Sequence, residues 1–326
     1  ITLPTRIGLL DFEGTNLLSI NKNLMKINIV GRPTPEQKAN KEYYTSNNGG
    51  VCSYDGTELV FVPKYIKGTY TIPAAIQVIG EKAFIGCWEL EGVVIKDNVK
   101  KIKSEAFSRC LALTSVEFDY NGGSLEIESK AFYECTNLYS VELPKQLQYL
   151  GSYAFGYTPK LTTVTINGSS NAILEWGAFA EEGGRNKGYV TNIHLGAGAP
   201  AFDINSVFYG CNLYVLDVDE YNRNFNQIDG VLYNSDKTEI LYYPYGMTGN
   251  YVIPDTITRI GQGVFENRAN IASIEIPASV TEIDFYAFRN CVGLTSLTFA
   301  PRTEPLYIKA SAFENCIALT SVSLPE

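Results

Sequence analysis

The dipeptide Ala-Phe returns along this chain at an almost fixed interval, and that interval limits what the chain can fold into. It stands at Ala83-Phe84, Ala106-Phe107, Ala131-Phe132, Ala154-Phe155, Ala178-Phe179, Ala287-Phe288 and Ala312-Phe313, with Val207-Phe208 and Val264-Phe265 as variants. Successive Phe numbers differ by 23, 25, 23, 24, 29, 57, 23 and 25. A period of about 20 to 50 residues marks an array in which each unit buries its apolar face only against its neighbours. Such an array grows by stacking, so a length of 326 residues calls for no second globular core.

Within one unit, Val93-x-Ile95 alternates apolar and outward positions with the period of a half-buried strand. Ala83, Phe84 and Cys87 are spaced i, i+1, i+4, which predicts one side of a single helical turn. A return segment around Ile76 to Ile79 completes the coil. Stacking then predicts a parallel sheet, with the Phe side chains in a column beneath it.

The full string is Ile76-x-x-Ile79-Gly80-x-x-Ala83-Phe84-x-x-Cys87-x-x-Leu90-x-x-Val93-x-Ile95. Several units carry Gly80, Gly151 or Gly261 four residues before the Phe, and Pro144, Pro277 or Pro325 after the strand. This pattern resembles the BspA-like leucine-rich repeat family of bacterial surface proteins over Gly50 to Glu326. The fold expected is an α/β solenoid: a leucine-rich repeat with a parallel concave sheet, short helical turns on the convex side and two inserted β-hairpin units. The hairpins are Gly50-Val51-Cys52 to Val62-Pro63 and, aligned to it, Gly230-Val231-Leu232 to Tyr243-Pro244, with Asp55-Gly56 and Ser235-Asp236 at the turns. The resemblance implies export to the cell surface or beyond, and adhesion to components of host or neighbouring cells.

Three segments follow from this reading. Residues 1–49 form a divergent repeat or cap, with Ile7-Gly8 and Phe12 in register, a strand through Leu24-x-x-Ile27-x-Ile29, and a polar insertion from Gly31. Residues 50–220 and 221–326 are two repeat runs, each begun by a hairpin. Glu181 to Gly188 is a shorter excursion, and long excursions from a regular array are functional or mobile. The chain opens at Ile1 without a leader and closes on the strand motif Leu324-Pro325-Glu326, so both ends read as cut.

Composition narrows the function further. A formal net charge of −9 opposes nucleic acid, which needs clustered cations to displace counterions, and opposes anionic membrane surfaces likewise. No run approaches the roughly 18 apolar residues that a membrane span needs. Six of the seven cysteines, Cys87, Cys110, Cys135, Cys211, Cys291 and Cys316, sit three residues after a repeat Phe. They read as small apolar filler, with bridges between coils as the alternative, since Thr158 and Arg268 fill the same slot elsewhere. Zinc spacing is absent and His194 is the sole histidine, so neither a metal, a cofactor nor a catalytic residue is expected. Gly196-Ala197-Gly198 lacks a phosphate-loop context, and Asp217, Asp219 and Asn222 lack calcium-loop spacing.

What remains is surface. If Val93 and Ile95 point inward, one outward column is Gly92, Ser115, Ser140, Thr163, Asn192, Ser273, Ser296 and Ser321. The other is Val94, Glu117, Glu142, Thr165, His194, Glu275, Thr298 and Ser323. The candidate partner-binding residues are therefore Ser115, Glu117, Ser140, Glu142, Thr163, Thr165 and His194, joined by the hairpin aromatics Tyr242, Tyr243 and Tyr245. For the tyrosines the competing reading is that they pack across the hairpin and cover its edge. The expected function is non-catalytic binding of a protein or glycan on other cells. The alternatives are a structural spacer, or an enzyme whose site forms where the insertions at 31–50 and 181–188 converge.

Overall fold

The computed structural model describes residues 2–4, 28–30, 45–47, 49–53, 55–119, 123–182, 188–320 and 322. The chain forms two compact units, Ile1–Val190 with Ser206–Cys211, and Thr191–Asn205 with Asn212–Glu326. Ile7, Gly8 and Phe12 lie outside the described residues, and of the early segment Thr2–Pro4 pairs in parallel with Asn28–Val30.

Each coil contributes one long strand and one short return strand. In the first unit the long strands are Gly68–Thr71, Leu90–Lys96, Ser115–Asp119, Ser140–Leu143 and Thr163–Ile166. Ser140–Leu143 alternates exposed and buried side chains, as its Ser-Val-Glu-Leu pattern requires. The return strands Glu58–Phe61, Val78–Ile79, Lys101–Ile102, Leu125–Ile127, Leu147–Leu150 and Ile173–Leu174 form a second parallel sheet. At its start, Thr45–Asn47 and Gly50–Cys52 add antiparallel strands.

The second unit repeats the plan. Its long strands are Asn192–Leu195, Val215–Val218, Gly249–Val252, Ile271–Ile276 and Ser296–Phe299. Phe225–Ile228, Val231–Asn234 and Glu239–Tyr242 pair antiparallel in succession, and Glu239–Tyr242 then pairs in parallel with Arg259–Ile260. Gly49 and Gly230 both hold positive φ, 86° and 84°, and Cys52 faces Leu59 as Tyr233 faces Ile240. The two antiparallel segments therefore correspond at a constant offset, and matching Gly50 to Gly230 is one residue out of step.

The Phe side chains form the core column. In the first unit the stacked pairs Phe84–Phe107, Phe107–Phe132, Phe132–Phe155, Phe155–Phe179 and Phe179–Phe208 have ring centroids 4.5, 4.9, 4.9, 5.6 and 4.7 Å apart. In the second, Phe265–Phe288 and Phe288–Phe313 stack at 4.8 and 5.0 Å. Each stacked pair adds about 0.5–1.5 kcal/mol beyond burial.

The expected helical turns are not helices. The one helix among the described residues is Ile204–Val207. At the Phe corner, backbone amides alternate between two destinations. Those of Ala83, Ile85 and Cys87 donate within the coil to Gly80, Lys82 and Phe84, whereas those of Lys82, Phe84 and Gly86 donate to Ser104, Ala106 and Ser108 of the next coil. This needs a left-handed residue two places before and two places after the Phe: Lys82 and Gly86, Glu105 and Arg109, Lys130 and Glu134, Tyr153 and Tyr157. A positive φ at the third position of a tight turn cannot continue as a right-handed helix, so the i, i+1, i+4 spacing reports linked β-turns.

Candidate functional site

Within each ladder the outward residues pair in register. Ser115 pairs with Gly92 and Glu117 with Val94, while Ser140 pairs with Thr163 and Glu142 with Thr165. In the second unit His194 faces Asp217, Ser273 faces Ser296 and Glu275 faces Thr298. Ser115, Glu117, Ser140 and Glu142 are exposed, and Thr163, Thr165 and His194 half-exposed. Ser321 and Ser323 lie outside the described residues.

The sheet of the first unit is split along this face. One ladder joins Gly68–Thr71, Leu90–Lys96 and Ser115–Asp119; another joins Ser140–Leu143 to Thr163–Ile166. Among the described residues no ladder links Ser115–Asp119 to Ser140–Leu143. The connection after this strand is longer than its neighbour, nine positions from Phe118 to Ile127 against seven from Ile95 to Ile102.

An open groove of about 460 Å³ lies at the split. Val116, Phe118 and Pro144 supply its apolar lining, and Glu117, Glu142, Lys145 and Asn167 much of its polar lining. Asn167 Nδ2 donates to Glu142 Oε1 at 2.9 Å and orients that carboxylate. Glu117 makes no ion pair among the described residues, and nearby Lys96 is engaged by Asp119.

Charge is sorted between the two sheets. On the return sheets the cations are paired: Lys101 with Glu126 and Glu128 at 2.8 and 3.2 Å and Lys103 with Glu58 at 2.8 Å in the first unit, and Arg259 with Glu239, Glu282 and Asp284 in the second. The strand face instead carries Glu117 and Glu142 in one unit and Asp217 and Glu275 in the other. Such a field attracts cationic groups and repels polyanions.

Sequence reasoning missed three residues here. Asp217 Oδ2 lies 2.7 Å from His194 Nδ1, a contact visible only once Val215–Val218 is placed beside Asn192–Leu195. Lys145 and Asn167 follow strands rather than occupying them, so an alternation pattern gives no sign of them.

The hairpin tyrosines require a correction. Tyr242 and Tyr243 are 4% and 2% exposed, so neither ring is available to a partner. The Tyr242 hydroxyl accepts the Leu213 amide at 3.2 Å, and the Arg268 guanidinium lies 4.7 Å above the Tyr242 ring. Tyr243 packs at 4.9 Å against both Tyr251 and Phe265, and burial pushes its hydroxyl up to about 12. Tyr243 and Tyr251 thus cover the Phe265 end of the column. Tyr245 is half-exposed, with Arg268 4.2 Å over its ring.

All seven cysteines are free. The thiols of Cys110 and Cys135 donate to the carbonyls of Phe84 and Phe107 at 3.2 Å, and those of Cys291 and Cys316 to Phe265 and Phe288 at 3.0 Å. Arg268, in the same slot, donates its Nε to the Tyr243 carbonyl at 2.6 Å. In these coils the slot donates to a buried carbonyl of the preceding coil, whereas Thr158 donates to Phe155 of its own coil at 2.7 Å. Among the described residues no three His, Cys, Asp or Glu are grouped to hold a metal ion, and no helix is long and apolar enough to cross a membrane.

This geometry is shared with known proteins. The pneumococcal vaccine antigen PcpA is 23% identical, with a TM-score of 0.56 over 78% of this chain and 67% of its own, and has the same fold. A leucine-rich cell surface protein from Faecalibacterium prausnitzii A2-165 is 27% identical, with a TM-score of 0.54 over 87% of this chain and 74% of its own. No curated protein matches the chain. The BspA type leucine rich repeat region model matches residues 64–183 and 237–326 in six copies. With most of its length so matched, the chain belongs to the BspA-type leucine-rich repeat family.

Proposed function

We propose that this chain is a non-catalytic repeat module, displayed on or released from the cell surface, that binds a protein or glycan of host or neighbouring cells through its strand face. The groove where Ser115–Asp119 and Ser140–Leu143 separate carries this reading, because it interrupts the ladder of the first unit and gathers Glu117 and Glu142 at one concavity. Ligand sites favour concave surfaces with a few convergent polar groups on an apolar lining, and solenoids commonly bind along their sheets. The surface location is supported by the Faecalibacterium prausnitzii protein, described as a cell surface protein.

The test is a binding screen against immobilised extracellular-matrix proteins and glycans, comparing wild type with Glu117→Ala/Glu142→Ala. Captured partners should be lost, or bound at least about tenfold more weakly, by the double variant, equivalent to about 1.4 kcal/mol. Capture of the same partners with unchanged affinity overturns the choice of the strand face.

A further inference from the structure

Cys291 and Cys316 hold the same slot in successive coils of the second unit, three residues after Phe288 and Phe313. The two coils are held in register: the amides of Phe288 and Asn290 donate to the carbonyls of Ala312 and Glu314 at 2.7 and 2.8 Å, and Asn315 Nδ2 donates to Asn290 Oδ1 at 3.0 Å. The Phe288 carbonyl brings the Cys316 sulfur to the corner of Cys291, because it accepts both the Cys291 amide at 3.2 Å and the Cys316 thiol at 3.0 Å. The two thiols hydrogen-bond each other. The coils are one step apart, 5.0 Å between the Phe288 and Phe313 centroids, and a disulfide spans Cα separations of roughly 4.4–6.8 Å.

Access separates this pair from the others. Cys87 and Cys110 also share a thiol–thiol hydrogen bond in the first unit, but both are fully buried. Of the seven cysteines only Cys316 is not buried. Hydrogen bonding from Cys291 lowers the Cys316 thiol from its ordinary value, whereas hydrogen bonding to Cys316 and burial raise Cys291. An accessible, acidified thiol in contact with a buried second thiol is the arrangement that thiol–disulfide exchange uses, in which one sulfur attacks and the other resolves.

We propose that Cys316 and Cys291 form a thiol–disulfide exchange site, at which a small organic disulfide closes a covalent bond between the two coils. The Cys316 thiolate attacks one sulfur of the small disulfide, whose S–S bond breaks and releases one thiolate. Cys291 then gives up its proton and attacks the Cys316 sulfur of the mixed disulfide, expelling the second thiolate. The two cysteines lose two protons and two electrons, and the small disulfide is reduced to two thiols. The closed bond ties together residues 25 positions apart, which restricts the unfolded chain and fastens the two coils. Bonds of this kind persist outside the reducing cytosol. The site acts without the strand face and without its partner.

The full chain, reduced and freed of reductant, is incubated with oxidised glutathione at about pH 8 and followed by intact mass and by peptide mapping after alkylation. An adduct with one glutathione should appear first and give way to a chain about 2 Da lighter than the reduced one, with Cys291 joined to Cys316. The other five cysteines should be alkylated only after unfolding. Cys291→Ala should keep the glutathione on Cys316, and Cys316→Ser should react at least about tenfold more slowly than wild type. The oxidised wild type should melt at a higher temperature than the reduced one, and Cys316→Ser should show no such difference. The proposal falls if the wild type keeps its glutathione, stays reduced where the unfolded chain oxidises, or forms its bond between other cysteines, such as the buried Cys87 and Cys110. It falls too if Cys316→Ser is oxidised as fast as wild type. Where a variant does not fold, peptide mapping of the wild type decides alone.

Discussion

The hydroxyls of Tyr233 and Tyr251 share a hydrogen bond 2.8 Å long at the head of the second unit's aromatic column. In the first unit the counterpart of Tyr251 is Tyr70, set edge-on to Phe84 at 5.2 Å, but Cys52 stands where Tyr233 would be. The Tyr70 hydroxyl is buried and has no hydrogen-bond partner among the described residues. Removing an unsatisfied buried hydroxyl relieves a desolvation cost of about 1–3 kcal/mol, whereas removing a satisfied one loses about 0.5–1.5 kcal/mol. Tyr70→Phe should therefore leave stability unchanged or raise it, and Tyr251→Phe should lower it. Urea unfolding of the two variants checks the sign; equal losses would contradict the difference between the sites.

Phe132 is fully buried with a parallel ring on each side, at 4.9 Å from both Phe107 and Phe155. Phe313 has a stacked neighbour on one side and is half-buried. Phe132→Ala should cost about 3–5 kcal/mol, as for other large truncations in packed cores, and Phe313→Ala clearly less. Thermal and urea denaturation decide it. A smaller loss at Phe132 than at Phe313 would mean that the column does not hold the first unit together.

The aromatic column was legible because its spacing is fixed by the coil, and a ring every 23 to 25 residues has no other economical packing. The corner at Ala83 to Cys87 was misread as helical because apolar spacing says nothing of φ. The left-handed residues there include Lys82, Glu105 and Tyr153, types that give no warning of that conformation. Glu117 and Glu142 were found by alternation, but the groove between them was not, since alternation within a strand does not show which neighbouring strands pair. Tyr242 and Tyr243 stood out because tyrosines crowd the second hairpin, and residue type alone does not separate a docking patch from packing across the hairpin. Here the strand ends at Tyr242 and both rings are buried.

The left-handed positions make a paired prediction within the second unit. Ser311 and Gly263 each stand two residues before a column Phe, with φ of 56° and 64°. A non-glycine residue there carries about 1–2 kcal/mol of strain, partly offset by the greater unfolded-state entropy of glycine. Ser311→Gly should raise stability by about 0.5–1 kcal/mol. Gly263→Ala should lower it by about 1–2 kcal/mol, since the added Cβ meets only the Glu266 side chain, its carboxylate at 3.3 Å, and the loss comes from φ. Melting curves of both variants provide the check, and a loss in Ser311→Gly together with a gain in Gly263→Ala would show that these corners are not left-handed.

The thiols give the last prediction, in pH. Burial pushes Cys52 up to about 11 and Cys211 up to about 12 from an ordinary value of 9.0, and holds Cys110 and Cys135 well above it. Cys316 is half-buried, and the neighbouring Cys291 thiol lowers it by hydrogen bonding. A thiol whose folded-state pKa is raised contributes stability below the unfolded pKa and loses it as pH climbs to the folded one. The melting temperature should hold to about pH 8.5 and fall between about pH 9 and 11, more gently in Cys52→Val/Cys211→Val. At neutral pH, Ellman's reagent should label Cys316 first and the buried thiols only on unfolding, because reaction needs an accessible thiolate. Seven equal labelling rates, or a melting temperature flat to pH 11, would show that the column of thiols is open to water.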